Sequence, residues 1–96
     1  MIDSVLTALA NPVRREALAL VSGEQELCLC ELMERLGVGQ SSMSRHMAAL
    51  RNAGIVLDRR DAQWVRYRRN PDLPQSAARV VDAVIAATDL EGKIAA

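Results

Sequence analysis

The 96-residue chain contains no phenylalanine, one tryptophan (Trp64), one tyrosine (Tyr67) and one histidine (His46). With so few rings any core has to be aliphatic, and the 50% of residues that are apolar suffice to build one. Cysteine is equally scarce: Cys28 and Cys30, one residue apart, make no disulfide scaffold. No apolar run approaches the roughly 20 residues that a membrane span requires. The start, Met1-Ile2-Asp3-Ser4, lacks the basic leader of a secretory signal. These absences make a cytoplasmic protein without a membrane partner the expectation. One histidine, no carboxylate pair and no glycine-rich phosphate loop leave no catalytic constellation, so an enzyme is not expected. The composition excludes a disordered or collagen-like chain, and the length allows one domain over residues 1–96. A monomer of this size buries only roughly two-thirds of its unfolded-chain surface, which makes a dimer interface an expected second source of stability.

The net charge is zero, from 12 basic and 12 acidic residues, but the signs are segregated. Between Gly39 and Arg69, Arg45, Arg51, Arg59, Arg60, Arg66, Arg68 and Arg69 face only Asp58 and Asp61, a balance of +5. The rest of the chain carries five bases and ten acids, with Glu24, Glu26, Glu31 and Glu34 meeting no base until Arg35. One basic third on an acidic remainder can meet a polyanion through one face while the whole stays soluble. A solvated arginine face is the plainer alternative, and charge alone does not separate the two.

Ile2, Val5, Leu6 and Leu9 fall at helical spacing and predict a short first helix. Asn11-Pro12 reads as an N-cap followed by proline at the first helical position, opening a second helix that Gly23 stops. A third helix is predicted from about Glu26 to Leu36, with Leu29, Leu32, Met33 and Leu36 facing in, and Gly37 ends it. A fourth spans about Gln40 to Ala53, with Met43, Met47 and Leu50 inward; Gly54 closes it and Ile55 makes the apolar contact after the stop. The period then changes. Ile55-Val56-Leu57 and Trp64-Val65-Arg66-Tyr67 are β-prone runs joined by a polar link, Asp58 to Gln63, which predicts a hairpin. A fifth helix is expected from about Pro74 to Thr88, striped by Ala77, Val80, Val81, Val84 and Ile85.

Two helices joined by a tight glycine-containing turn make a helix-turn-helix, whose second helix lies in the DNA major groove with its first residues near the bases. That helix opens Gln40-Ser41-Ser42-Met43-Ser44-Arg45-His46. At about 100° per residue, Ser41, Arg45, Ala48 and Asn52 stand opposite the Met43/Met47/Leu50 stripe, flanked by Ser42 and Ser44. Arg45 suits guanine and Gln40 adenine, while the serine hydroxyls can take phosphates or base edges. His46 lies about 60° from the apolar stripe, where packing, capping and a phosphate contact are equally open. Arg59, Arg60, Arg66, Arg68 and Arg69 alternate along the hairpin, so some of them reach the DNA backbone as in the wing of a winged helix. A helical bundle with a merely exposed Ser/Arg helix is the plainer alternative; the arginine-rich hairpin tells against it. The expected fold is mainly α with a β-hairpin, a winged helix-turn-helix in the order α-α-α-α-β-β-α.

The residues now assembled resemble a known family. Leu9-Ala10-Asn11-Pro12-Val13-Arg14-Arg15, Glu26-Leu27-Cys28-Leu29-Cys30-Glu31-Leu32, the run from Ser44 to Val56, and Trp64-Val65-Arg66-Tyr67-Arg68 are together similar to the ArsR/SmtB family of winged-helix transcriptional repressors, in its arsenic-responsive branch. The resemblance implies a homodimer on double-stranded, palindromic operator DNA, released by a metal or metalloid. It implies joining through the first and fifth helices, here Ile2, Val5, Leu6 and Leu9 with Val80, Val81, Val84 and Ile85. It also implies that Cys28 and Cys30 bind the effector, trivalent arsenic or antimony, with no catalytic cofactor.

Backbone geometry constrains what the thiol pair can do. On a regular helix residues two apart point about 200° from each other, so the pair could not chelate one small ion; on extended backbone they share a face. Chelation by both therefore favours a third helix that begins after Cys28, or one whose first turn unwinds on binding. Small-residue core packing and a reactive, redox-active dithiol remain the alternatives. The best-known arsenite-binding relatives use a third thiol one turn after the second, where this chain has Met33. Two thiolates suit a monomethylated trivalent arsenical, with arsenite keeping a hydroxyl as the competing choice. The fifth helix offers Asp82 and Asp89 but no histidine, against zinc or nickel, and no cysteine near the start matches cadmium or lead sensors. Gly39 stands where serine is usual as N-cap, and Ala62 where glycine is usual in the wing turn.

Overall fold

Asn11 and Pro12 open the helix that organises the amino-terminal half. In the computed structural model, which describes residues 2–95 and the side chains of residues 2–89, α1 (Ile2–Leu9) leads into α2 (Pro12–Gly23). The extended Asn11 accepts a hydrogen bond from the Arg14 N–H at 3.2 Å, and Pro12 occupies the first turn where no donor is needed. Two arginines of α2 then cap the end of α1. Arg14 Nε donates to the Ala8 carbonyl at 2.7 Å and Arg15 to that of Leu9 at 2.8 Å, placing positive charge against the negative end of the helix. Replacing Asn11 by alanine is expected to cost about 1 kcal/mol, read as a lowered urea midpoint at unchanged slope.

After α2 come β1 (Leu27–Cys28), α3 (Leu29–Leu36), α4 (Gln40–Asn52), β2 (Val56–Asp61), β3 (Trp64–Arg69) and α5 (Gln75–Ala95). Gly37, at φ 65°, takes the left-handed conformation that ends α3, its N–H donating to the Met33 carbonyl at 2.9 Å. Gly54, at φ 78°, ends α4 in the same way, and Ile55, fully buried, returns its N–H to Leu50 at 3.0 Å.

The structure changes several expected boundaries. The third helix starts at Leu29 rather than Glu26, because Leu27 and Cys28 form a short strand. The hairpin is thus part of a three-stranded antiparallel sheet in the order β1-β3-β2, with Leu27 opposite Tyr67 and Cys28 opposite Arg66. The polar link expected from Asp58 to Gln63 is mostly strand: Asp61 pairs with Trp64, leaving Ala62 and Gln63 as the turn. Cross-strand hydrogen bonding overrides the low strand propensity of Asp58-Arg59-Arg60-Asp61. Ile55 stays outside the strand, and the fifth helix runs from Gln75 to Ala95, past Thr88.

Ala62 adopts φ 55°, a left-handed conformation that costs a residue with Cβ about 1–2 kcal/mol. Substitution by glycine is expected to raise stability by about 0.5–1 kcal/mol, measured as an increased urea midpoint.

The core is aliphatic and thioether: Leu18, Leu32, Met43, Met47, Leu50 and Ile55 are its largest fully buried members. It also takes in three residues expected at a dimer interface. Val5 and Val81 are fully buried and Leu9 is 4% exposed within one chain, so a partner has nothing left to cover there. They pack α1 and α5 onto the body of the fold. Ile2 and Leu6, 48% and 51% exposed, remain on the free face of α1, with Val80, Val84 and Ile85 half-buried on α5.

Candidate nucleic-acid interface and thiol site

The inward anchoring of Met43, Met47 and Leu50 turns the opposite side of α4 to solvent. Gln40, Ser41, Ser44 and Arg45 are exposed there, and Ser42 is half-buried. No ion-pair partner stands beside Arg45 among the described residues. The half-buried His46 lies near Arg14 and Arg45; burial first, then those two positive charges, holds its pKa below the ordinary 6.5. Its folded form therefore binds fewer protons than its unfolded form, so this contribution to stability is full above pH 6.5 and is lost as pH falls from there towards the lower folded value. Replacing His46 by glutamine is expected to flatten the urea-midpoint profile in that interval. The carboxylates act in a separate window below about pH 4.5, since hydrogen bonds from arginine lower Glu24 and Glu26 from that value.

The wing arginines divide into two groups. Arg59 grips Glu26 through two hydrogen bonds of 2.7 and 3.3 Å, and Arg66 Nε reaches Asp61 at 3.0 Å. Arg69 pairs with Asp82 on α5. Arg60 and Arg68 are exposed and carry no ion pair among the described residues. Of the hairpin cations, these two are the ones presented uncompensated. A cleft of about 400 Å³ between α4 and the wing is lined by Ser44, Arg51, Asp58, Arg60, Val65 and Tyr67. Arg51 donates to Asp58 at 3.0 Å across it, a polar floor that sequence spacing did not reveal because Arg51 lies on α4 and Asp58 on β2.

The thiols sit where the wing sheet meets α3. Cys28 is the last residue of β1 and the N-cap of α3, with extended backbone (φ −82°, ψ 162°). Cys30 lies in the first turn. One extended residue followed by helix removes the opposition of side chains that a continuous helix would impose, and the two sulfurs converge as a disulfide pair with Cα atoms 5.4 Å apart. Cys28 is buried and Cys30 exposed. The Glu31 carboxylate accepts from the Cys28 N–H at 3.1 Å, tying the head of α3 to the thiol segment. Glu26, two residues upstream, is the partner of Arg59. Beside Cys30 opens a second cleft, of about 280 Å³, lined by Leu29, Met33, Trp64 and Val65 together with Gln40 and Gln63. Among the described residues no group of three His, Cys, Asp or Glu side chains is arranged to hold a metal ion, and no helix is long and apolar enough to cross a membrane.

Helix, turn, helix and arginine-bearing wing are thus in place, and sequence comparison points the same way. The profile of the bacterial regulatory proteins of the arsR family matches residues 11–57. An arsenic resistance transcriptional regulator of Pseudomonas putida, ArsR2, is 49% identical over 70 residues, 73% of this chain and 61% of its own. Reduced HlyU from Vibrio cholerae is 31% identical with a TM-score of 0.73, covering 86% of this chain and 83% of that one. The chain belongs to the arsR family. An arsenical resistance operon repressor of Escherichia coli is 42% identical over 74 residues, 77% of this chain and 63% of that protein; the chain spans under two-thirds of the length of both curated relatives. The homodimeric winged helix-turn-helix DNA-binding domain Mb0332 from Mycobacterium bovis, 26% identical, superposes with a TM-score of 0.75 over 92% of this chain and 78% of its own. The architecture of this arsR-family chain is a winged helix with three strands.

Proposed function

We propose that this arsR-family protein is a metalloid-responsive transcriptional repressor. It binds double-stranded operator DNA as a homodimer and is released when trivalent arsenic, as arsenite or methylarsenite, or antimonite bridges Cys28 and Cys30. The observation that carries the reading is the convergence of the two cysteine side chains at the head of α3, on a strand paired with the wing.

On DNA, Gln40, Ser41, Ser42, Ser44 and Arg45 face the bases, and His46, Arg60 and Arg68 face phosphates. Arg59 and Arg66 contribute less while Glu26 and Asp61 neutralise them. Dimerisation covers the exposed Ile2 and Leu6 with Val80, Val84 and Ile85. When arsenite binds, the two thiols displace two of its three hydroxyls, forming two As–S bonds and releasing two waters. Bridging constrains Cys28 and Cys30 together and so acts on the β1–β3 pairing, the Glu31 cap and the Glu26–Arg59 pair at once. An effector that prefers the form poor in DNA affinity shifts the population by its differential affinity alone.

A second reading is favoured by the sulfur pairing itself. A peroxide would accept two electrons from the dithiol, giving the disulfide, an alcohol or water from the peroxide, and one further water. Fluorescence anisotropy of a labelled fragment of the protein's own promoter separates the readings. Under reducing conditions, release by arsenite or methylarsenite supports the metalloid repressor. Release only by peroxide supports the redox one, and release by neither leaves the cysteines a packing role.

A further inference from the structure

Bridging by Cys28 and Cys30 leaves one valence of the arsenic unused, and the cleft beside Cys30 selects what it carries. Trivalent arsenic is pyramidal with three bonds. Cys28 and Cys30 supply two, and the residue one turn beyond Cys30 is Met33, a neutral thioether with no charge to contribute. The third bond therefore keeps the group the arsenic arrived with. Cys28 is buried and closes the inner side of the pair. Cys30 lines the cleft of about 280 Å³, whose other walls are the apolar side chains of Leu29, Met33, Trp64 and Val65, with the amides of Gln40 and Gln63 at its edge.

The four apolar walls suit carbon better than hydroxyl. A hydroxyl set against them, away from the Gln40 and Gln63 amides, would give up hydrogen bonds to water, whereas an apolar group gains by leaving it. The volume lies just below the ~300–1,000 Å³ that enclose a drug-sized ligand, which leaves room for one small ring. An indole and a thioether are both good partners for an aromatic ring. Resting on the reading of Cys28 and Cys30 as the arsenic site, we propose that the cleft is a substituent subsite, and that the preferred effector is a monoaryl trivalent arsenical.

The chemistry balances without an oxidant or reductant. An arylarsonous acid, Ar–As(OH)2, exchanges its two hydroxyls for the two thiols; two As–S bonds form, two waters leave and the As–C bond survives. The ring then lies between Leu29 and Met33 of α3, Gln40 at the head of α4, and Gln63, Trp64 and Val65 of the wing. It wedges Gln40, the first residue of α4, against the wing turn, two elements that have to hold a fixed spacing if both meet DNA. An aryl substituent thus adds to release as well as to affinity.

The test compares phenylarsonous and methylarsonous acids on the reduced 96-residue chain, in a phosphine reductant that adds no thiol. The two compounds share both exchangeable positions and differ only in the carbon group. Native mass spectrometry counts adducts, and the emission of Trp64, the single tryptophan, reports the cleft. The ratio of the two affinities is divided by the same ratio for a small free dithiol, which removes any intrinsic preference of arsenic. We expect phenyl to be favoured by about tenfold after that correction, with a change in Trp64 emission that methyl does not produce. Trp64 is 43% exposed, so Trp64→Ala keeps the fold; it should bring the corrected ratio near one, and Trp64→Phe should restore most of it. Adducts of both compounds with a corrected ratio near one in the wild-type chain, or a ratio unmoved by Trp64→Ala, would overturn the subsite and leave the arsenic reading standing. No adduct with either compound would overturn the arsenic reading and the subsite with it.

Discussion

Replacing Cys30 by serine should leave operator binding near that of the wild-type chain and abolish release by arsenite over the range that frees the wild type. Cys30 is exposed, so the substitution removes no core contact, and its backbone stays in the first turn of α3. What disappears is the second As–S bond. Once one thiolate has bound, the other competes at an effective concentration set by their fixed separation, and such linkage raises overall affinity about 10²–10⁴-fold. A single thiol forfeits that factor, and the effector concentration for half-release rises by the same amount. The buried Cys28 needs a different replacement. Serine there would bury a hydroxyl at a cost of about 1–3 kcal/mol if left unpaired, so Cys28→Ala is the cleaner partner variant. Anisotropy titrations on both variants, with circular dichroism to verify folding, make the measurement. Arsenite release retained by either variant would remove the two-thiol bridge from the mechanism.

The second large effect concerns Arg45. It stands on the outer side of α4 with no carboxylate beside it among the described residues, so its guanidinium is available to a base edge or a phosphate. Loss of one bidentate guanine contact costs about 1–3 kcal/mol, which corresponds to operator binding weakened roughly 5- to 150-fold by Arg45→Ala. Arg59→Ala should cost much less, although both are exposed arginines in the basic third of the chain. Glu26 already holds Arg59 through two hydrogen bonds, and DNA has to displace that partner before gaining the charge. Glu26→Gln is accordingly expected to strengthen DNA binding and to steepen its salt dependence by about one phosphate contact. Equal losses from Arg45→Ala and Arg59→Ala would show that the pairing of Arg59 with Glu26 does not persist in solution.

Much of this molecule was legible in the order of its residues. The helical stripes of α2 and α4, the Asn11-Pro12 start, the Gly37 and Gly54 stops and the change of period after Ile55 are local signals, each complete within one or two turns of chain. The candidate DNA face was legible for the same reason: once Met43, Met47 and Leu50 point inward, helical geometry places Arg45 outside. The family resemblance rested in part on those segments, together with the thiol run Glu26 to Leu32 and the wing run Trp64 to Arg68.

Contacts between distant segments were decided only in three dimensions. Leu27 and Cys28 are too few to carry a strand pattern; they become one because the edge of β3 offers its backbone groups opposite Tyr67 and Arg66. That pairing delays the start of α3 to Leu29 and turns two thiols that a continuous helix would hold apart towards each other. Glu26 and Arg59 are 33 positions apart, and no spacing rule could have matched them. Likewise Val5, Leu9 and Val81 read as apolar faces for a partner, but the tertiary packing of α1 and α5 buries them within the chain. Sequence periodicity determined which side of each element is apolar. What that side packs against, and which charges and thiols are left facing one another, was decided by the closing of the fold, because burial and pairing depend on residues that local pattern does not connect.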